Sequence, residues 1–264
     1  MPKVFASCHS PTTLENTVKW RFIYRGLRAR YRDQRSELKA LISALRPDDT
    51  AIDVGANKGS YLWSLSHAVP NGRVVAFEPQ PLLFDYLRRA CRSAGLKNVV
   101  VEGAGVSAKS GHLTLAIPGT RDSSPGASFE EAVRQREACR TVDVPTYSLD
   151  DYFSSERQRI GAIKIDVEGH ELAVLEGARE ILARHAPLVV CECESRHMTH
   201  GNVGSVIKFF RDQSYDGVFV CGLTLIPVTE FDPAMHQREE GERFWDASGY
   251  CNNFILKRTP QPSA

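Results

Sequence analysis

The chain has 264 residues and a formal net charge of +1 at pH 7, and 42% of its residues are hydrophobic and 25% are charged. This composition is ordinary for a globular protein, and the length is enough for one large domain with a sizeable core. No stretch approaches the roughly 18 consecutive apolar residues that a membrane-spanning helix needs. The first residues also lack the apolar run of a secretory leader, so we expect neither an integral membrane protein nor a secreted one.

The seven cysteines are odd in number, scattered along the chain and without a Cys-x-x-Cys pair. Cysteines in this arrangement are typical of a protein kept in a reducing compartment. We therefore expect a cytoplasmic protein.

Residues 1–47 are predicted to form an N-terminal helical extension, with a break between two helices near Gly26. Between Lys19 and Lys39 there are eight basic and two acidic residues, so this segment carries six positive charges and the rest of the chain a net charge of −5. Together with its aromatic residues, this fits a peripheral contact with an anionic membrane surface or a lid over an acceptor pocket. We favour a solvated face that packs on the core or on a second subunit of a homo-oligomer.

Short apolar runs alternate with helical segments across residues 48–259, which predicts an α/β fold with a mostly parallel sheet and helices on both faces. Residues 118–140 are rich in Pro, Gly, Ser and charge and are predicted to be a variable insert, and residues 260–264 a tail. The predicted strands lie at 50–54, 73–78, 98–102, 112–117, 162–166, 188–194, 217–221 and 252–258, and the predicted helices at 60–69, 81–94, 170–185 and 203–213.

A glycine-containing turn follows the first predicted strand and precedes a helix. Ligands of an open α/β sheet bind beyond the carboxyl ends of its strands, and glycine lets the backbone approach them with a positive φ. The spacing matches neither a dinucleotide fingerprint nor a phosphate loop, and a tight turn without a ligand is the alternative. An acid at the strand end can pair with a cationic amino-acid group. The candidate cofactor contacts of this turn are Asp53, Gly55, Ala56, Asn57 and Gly59.

Glu78 ends the second predicted strand. An acid at this position hydrogen-bonds the ribose hydroxyls in many nucleoside-binding α/β folds, whereas the alternative is a surface acid stabilised by the dipole of the following helix. Gly103 and Ala104 follow the third strand and are small enough for an adenine ring to lie against the backbone, although they also suit a plain turn.

With these residues in place, the chain resembles the FkbM family of methyltransferases. The resemblance runs from about Thr50 to Phe254 and omits the variable insert. It is carried by IDVGANKGSY at 52–61, VVAFEPQPLLFDYL at 74–87, VPTYSLDDYF at 144–153, IKIDVEGHELAVLEGA at 163–178 and CNNFIL at 251–256.

The resemblance implies a Rossmann-like class I methyltransferase fold with a seven-stranded sheet and S-adenosylmethionine as the methyl donor. It implies as acceptor a hydroxyl group of a sugar, a glycolipid or a secondary metabolite. By position, the glycine-containing turn would line the methionine end of the cofactor and Glu78 would hold the ribose. The N-terminal helices and the insert, where such enzymes usually choose their acceptor, are not covered.

Methyl transfer to a neutral hydroxyl requires an aligned acceptor oxygen and a group that takes the hydroxyl proton. Asp166 ends the fourth core strand, Glu168 lies in the following turn, and Glu192 lies on the next strand. A carboxylate among apolar neighbours has a raised pKa and is a better base near neutral pH. We predict that Asp166 or Glu168 receives the proton, with Glu192 in support. The alternatives are a structural turn for Asp166, an acid at a helix N-terminus for Glu168, and pairing with Lys164 on the adjacent strand for Glu192.

Histidines near these acids open two further possibilities. The three acids and His170 could present ligands to Mg²⁺, although the spacing does not require a metal. His197 and His200 follow the fifth predicted core strand and are second-line candidates for the base.

Two other functions are compatible with parts of this pattern. One is N-methylation of a small molecule or macromolecule, but such enzymes often carry Asn/Asp-Pro-Pro-Tyr where this chain has IDVEG at 165–169. The other is a non-catalytic nucleoside-binding module, which the acids at two strand ends disfavour. No basic run interleaved with aromatic residues lies near the predicted cleft, so we do not expect a nucleic-acid partner.

Overall fold

The computed structural model describes residues 11–136, 138–199, 201–247 and 249–259. Numbered in chain order, the strands of these residues are β1 Thr50–Val54, β2 Arg73–Phe77, β3 Val99–Glu102, β4 Gly105–Val106, β5 Gly111–Pro118, β6 Cys139–Tyr147, β7 Ile160–Ile165, β8 Leu188–Glu192, β9 Tyr215–Cys221, β10 Thr224–Pro227 and β11 Asn253–Arg258.

The helices of the same residues cover the strands and connect them. A π-helical segment, Ala29–Asp33, joins the first two. In chain order the α-helices are α1 Pro11–Arg28, α2 Arg35–Ala44, α3 Leu62–Ala68, α4 Pro81–Ala94, α5 Glu131–Arg136, α6 Leu149–Tyr152, α7 Glu171–Glu176, α8 Arg179–His185, α9 Val203–Asp212 and α10 Pro233–His236.

The main sheet has eight strands in the spatial order β10-β9-β11-β8-β7-β1-β2-β3. Strands β3, β2, β1, β7 and β8 pair in parallel, and β11, β9 and β10 continue the sheet with antiparallel pairing. The chain leaves β1 toward β2 on one side and later returns as β7 on the other. The carboxyl ends of these strands therefore meet at a topological switch point, where open α/β sheets bind their ligands.

Helices cover both faces of the main sheet because its central strands are apolar on both sides. Every residue of β1 and of β7 is buried, as expected for strands of a parallel sheet. Helices α1–α4 pack on one face around residues such as Phe22 and Leu87. Helices α6–α9 pack on the other around residues such as Val174 and Phe210. The predicted α/β fold with helices on both faces is confirmed.

A second, three-stranded sheet in the order β4-β6-β5 lies outside the main one. Its antiparallel strands β5 and β6 are joined by the segment that carries α5, and Ser128 of this segment forms a bridge with Ala116 of β5. Leu115, Ile117 and Val144 give this sheet a small core of its own. The strand predicted at 112–117 therefore forms, but not as part of the main sheet.

Three details differ from the sequence-based prediction. The main sheet has one strand more than the predicted seven, because Thr224–Pro227 adds a short hairpin edge. Helix α1 runs through Gly26 without a break, because the absence of a side chain lets this residue lie against Trp63, whose Cβ would be 2.6 Å from an added Cβ. The predicted helix 170–185 is two helices, interrupted at Gly177, which passes close to the Ser107 carbonyl.

Among the described residues, no helix is both long enough and apolar enough to pass through a bilayer.

Candidate functional site

A cavity of about 240 Å³ lies at the carboxyl ends of β1, β2 and β7. The main sheet supplies its floor. Residues 125–129, from the segment between β5 and α5, supply its roof. Its lining mixes apolar and polar side chains, and the polar ones come from the strand ends, from the turns that follow them and from Ser128 of the roof. We call this space the inner cavity.

The turn after β1 has a backbone that only glycine allows at one position. Gly55 has a φ of +75°, and a Cβ on it would lie 1.8 Å from the Asp166 carbonyl oxygen. The N–H groups of Gly55 and Ala56 both donate to the Phe77 carbonyl at 3.0 Å. The turn is therefore fixed between the ends of β2 and β7, with its backbone beside the inner cavity.

Glu78 connects this turn to the end of β2. Its Oε2 accepts the Asn57 N–H at 2.6 Å and its Oε1 accepts the Gln80 N–H at 2.9 Å. The side chain is only 2% exposed, and burial raises the pKa of its carboxyl to about 7. Each carboxylate oxygen can accept a second hydrogen bond, and Glu78 lines the inner cavity.

The eight predicted cofactor contacts divide into two groups. Gly55, Asn57, Glu78 and Ala104 line the inner cavity. The other four, Asp53, Ala56, Gly59 and Gly103, are not among the residues that line it.

The packing of the protein explains the placement of two of these four residues, Gly59 and Asp53. An added Cβ on Gly59 would lie 2.7 Å from the Phe22 ring and 2.8 Å from Leu87, so this glycine lets α1 pack closely on the sheet. Asp53 is fully buried beneath the turn, and burial raises its pKa against the opposing effect of Lys164.

Lys164 lies at the candidate site, although it was not among the predicted catalytic or cofactor-binding residues. Its buried Nζ lies 3.4 Å from Asp53 Oδ1 and 3.2 Å from Asp166 Oδ2, and it donates to the Gly55 carbonyl at 2.8 Å. Although burial lowers the pKa of Lys164, the charges of Asp166 and Asp53 raise it above its usual range. The signal in the sequence was a lysine within the otherwise apolar strand β7. This cation stabilises the two acids at neighbouring strand ends.

Glu168 lies in the turn after β7 and pairs with His197. The Glu168 Oε2 and His197 Nδ1 atoms are 2.6 Å apart. Burial raises the pKa of Glu168, while the bond to His197 opposes the rise. Glu168 itself has a φ of +54°, and positive φ values in non-glycine residues concentrate at functional sites.

The backbone also brings the two partners together. Gly169 has a φ of +103°, and a Cβ on it would lie 2.2 Å from the His197 carbonyl oxygen. The turn after β7 and the segment after β8 are therefore in direct contact. His200, the other second-line candidate for the base, lies outside the described residues.

All three predicted catalytic acids, Asp166, Glu168 and Glu192, line the inner cavity. Glu192 ends β8 and accepts a hydrogen bond from Asn252 Nδ2 at 2.8 Å. Its burial and the charges of Asp166 and Glu168 raise its pKa well above the usual value.

A second, more open space adjoins the inner cavity, and we call it the outer hollow. Glu168, Glu192 and Pro125 line both spaces. The other residues that line the outer hollow include Arg196, His197, Trp245 and Asn252. The two spaces meet at the acids of the strand ends.

The roof is held over the inner cavity by hydrogen bonds. The Gln80 side chain donates to the Ser124 carbonyl at 3.0 Å and accepts the Ser124 N–H at 2.9 Å. Ser128 Oγ donates to the Glu168 carbonyl at 2.7 Å. The predicted variable insert thus contacts the predicted catalytic turn directly.

The family model of the methyltransferase FkbM domain matches residues 53–216, which is more than half of the chain. The matched range contains the glycine turn, Glu78, Lys164 and all three acids of the inner cavity. The chain belongs to the FkbM methyltransferase family.

Relatives of this FkbM-family protein include methyltransferase sdnD of Sordaria araneosa, 31% identical over 53% of this chain and 64% of that protein. Hexuronic acid methyltransferase AglP of Haloferax volcanii is 33% identical over 58% of this chain and 61% of its own length. The chain thus spans slightly less than two thirds of the length of each. A solved structure of methyltransferase FkbM from Methylobacillus flagellatus has 19% identity and a TM-score of 0.44, and covers 64% of this chain and 39% of that one.

The structure does not support the alternative prediction that the three acids and His170 bind a Mg²⁺ ion. His170 Nδ1 lies 2.7 Å from Glu130 Oε1, and its Nε2 lies 2.9 Å from Ser107 Oγ, so both ring nitrogens have partners. Within residues 11–136, 138–199, 201–247 and 249–259, no group of three or more His, Cys, Asp or Glu side chains is arranged to hold a metal ion.

Proposed function

We propose that the chain transfers a methyl group from S-adenosylmethionine to a hydroxyl oxygen of a sugar or another polyhydroxylated small molecule. Membership of the FkbM family supports methyl transfer, and a relative named as a hexuronic acid methyltransferase supports a sugar acceptor. The observation that carries the proposal is the junction of the inner cavity and the outer hollow at Glu168 and Glu192. A donor on one side and an acceptor on the other would meet at these acids.

The inner cavity fits S-adenosylmethionine by its chemistry. Glu78 offers free acceptor capacity to ribose hydroxyls, Ala104 leaves room for a flat ring, and Phe77 and Phe129 supply apolar surface. The turn at 55–57 borders the inner cavity, so its backbone would lie beside the donor, with Asp166 and Asp53 nearby around Lys164. When bound, S-adenosylmethionine supplies a methyl group on a sulfonium.

The outer hollow fits a hydroxylated ring. Trp245 is 43% exposed and supplies aromatic surface, with the Arg196 guanidinium 5.2 Å from its ring centre, while Asn252 and His197 offer polar groups. Binding sites for small molecules combine such apolar surface with a few placed polar groups. A sugar ring has both an apolar face and peripheral hydroxyls, which matches this lining.

The hydroxyl proton of the acceptor has to leave as the new bond forms. Glu168 and its partner His197 line the outer hollow and form the proton-accepting pair in our proposal. Asp166 is held by Lys164 at 3.2 Å and contributes charge rather than a base. Glu192 orients the acceptor. We assign the catalytic unit to residues 48–259, with residues 1–47 as an extension.

The test is incorporation of isotope-labelled methyl from S-adenosylmethionine into a panel of hexuronic acids, hexoses and their amino-sugar analogues. We expect label in hydroxylated sugars, and we expect Glu168→Gln to abolish it while calorimetry shows unchanged binding of the donor. Label on the amino sugars alone would replace O-methylation by N-methylation. Donor binding without label in any acceptor, or tight binding of NAD instead, would contradict the proposal.

A further inference from the structure

Helix α1 and the π-helical segment after it carry a stripe of exposed aromatic and apolar side chains. Trp20, Tyr24, Leu27 and Tyr31 are 64%, 65%, 41% and 69% exposed. Their spacing of four, three and four residues places them on one side of a helix. The opposite side is buried on the core through Phe22, which is fully inaccessible. Because the opposite side of this helical segment already packs on the core, the stripe is a second apolar side that is exposed.

Positive charge surrounds the stripe. The segment from Lys19 to Lys39 carries six net positive charges in a chain whose remainder is negative. The Lys19 ammonium lies 5.6 Å from the Trp20 ring centre, and the Arg30 guanidinium lies 5.6 Å from that of Tyr31. Cations therefore stand directly beside the exposed aromatic rings.

The same surface continues onto α2 and the hairpin of β9 and β10. Tyr31 shares a shallow hollow with Arg35 and Lys39. Arg35 and Lys39 also line a neighbouring hollow together with Leu223 and Leu225. Leu223, at the tip of the hairpin, is 88% exposed, and Leu225 is 49% exposed. Apolar tips and basic side chains thus extend over one connected face.

We propose that this basic-aromatic face, formed by the stripe, the basic residues of 19–39 and the hairpin tip, docks on an anionic lipid surface. Aromatic rings and leucines partition into the interfacial region of a bilayer, and the flanking cations pair with anionic headgroups. A second copy of the chain would bring like charges together, which opposes pairing through this face. A nucleic acid would satisfy the cations but offers no hydrocarbon phase for Leu223.

The test is co-sedimentation of the full chain with vesicles of phosphatidylcholine alone or of phosphatidylcholine with phosphatidylserine. We expect binding to the mixed vesicles, weak binding to phosphatidylcholine alone, and loss of binding as salt increases, because salt screens exposed charges. The triple variant Trp20→Ser, Tyr24→Ser, Tyr31→Ser is expected to lower partitioning about tenfold. Arg21→Gln and Arg30→Gln are each expected to lower it roughly fivefold.

Matched controls lie on other surfaces. Met235→Ser removes a side chain that is 59% exposed on α10, and Arg157→Gln removes an exposed cation before β7. Neither is expected to change partitioning. Equal binding to both vesicle types, or stripe variants that bind as well as the parent chain, would overturn the proposal. Two further results would contradict it if the stripe variants still bound vesicles. One is that, without lipid, the parent chain is a dimer and the stripe variants are monomers. The other is that the parent chain binds a single-stranded oligonucleotide and the stripe variants do not.

Discussion

The His197 Nδ1 atom lies 2.6 Å from the Glu168 carboxylate, across the junction of the inner cavity and the outer hollow. A histidine that donates through Nδ1 keeps its Nε2 lone pair for a proton. The pair therefore combines an oriented imidazole with a buried acid, an arrangement suited to general-base chemistry.

Removal of either partner is expected to lower turnover without weakening donor binding. Glu168→Gln and His197→Ala should each lower kcat about 10²- to 10⁴-fold. The double variant should be little worse than either single one, because the two residues act as a unit. Single-turnover kinetics with labelled donor, with Glu176→Gln as an exposed control on α7, measures this. Fully additive losses would show that the two residues act separately.

Glu78→Gln is expected to weaken donor binding about 10- to 100-fold, since hydrogen bonds to charged groups are worth about 1.5–3 kcal/mol. An amide has one acceptor oxygen, whereas Glu78 accepts N–H groups on both of its oxygens. Calorimetric titration with S-adenosylmethionine gives the affinity. The control is Asp85→Asn on the exposed side of α4. Unchanged affinity in Glu78→Gln would mean that the ribose is held elsewhere.

Two glycines with nearly the same φ allow the stability cost of a left-handed backbone to be separated from the cost of a steric contact. Gly55 and Gly95 have φ values of +75° and +76°, but an added Cβ meets the Asp166 carbonyl at 1.8 Å in the first and nothing within 4 Å in the second. Gly95→Ala is expected to cost about 1 kcal/mol of unfolding free energy from the left-handed backbone alone. Gly55→Ala is expected to cost at least about 3 kcal/mol and to abolish donor binding. Denaturant unfolding compares them, and equal costs would contradict the contact.

Glu171 makes stability depend on pH. Burial raises its pKa to about 8 from its usual 4.5, so between these values the folded state holds a proton that the unfolded chain has lost. The contribution of Glu171 to the free energy of unfolding therefore falls as pH rises from about 4.5 to about 8 and is constant above that.

Glu171→Gln is expected to flatten this profile and to raise stability near pH 8 by a few kcal/mol. The glutamine oxygen can still accept the Gly169 N–H that Glu171 accepts at 3.0 Å. Denaturant unfolding at acidic and alkaline pH measures the slope. The slope left in the variant comes in part from Glu78, whose pKa is about 7. An unchanged profile would mean that Glu171 ionises normally.

The sequence predicted the central sheet well because its strands are apolar runs with turn residues at their ends. Helix α4 was predicted at its observed bounds, since Pro81 begins it and Gly95, in the left-handed conformation, ends it. Gly26 was wrongly predicted to break the helix. A glycine is needed at this position because the backbone contacts Trp63, a residue distant in sequence. Gly59 has a similar long-range contact with Phe22. The local sequence pattern carries no information about close contacts between residues that are distant in sequence.

The candidate site was predictable in its acids but not in its connections. Asp166, Glu168 and Glu192 follow from their positions at strand ends, whereas the burial of Lys164 between two acids depends on strand order. The position of the roof over the cavity was not predictable, because its attachment to the main sheet is polar. Ser124 makes two hydrogen bonds with the Gln80 side chain, and Ser128 donates one to the Glu168 carbonyl.

The second sheet has a small core of its own, formed by Leu115, Ile117 and Val144. Ala127 and Phe129 of the covering segment pack against this small core, whereas the main core is built mainly from residues of the eight-stranded sheet, its helices and Val106. We therefore expect that replacement of the covering segment would change the lining of the outer hollow, to which Ser124, Pro125 and Gly126 belong, and would leave the eight-stranded sheet folded. Under the proposed function, exchange of this one segment is expected to change the acceptor while the donor contacts of the main sheet stay in place.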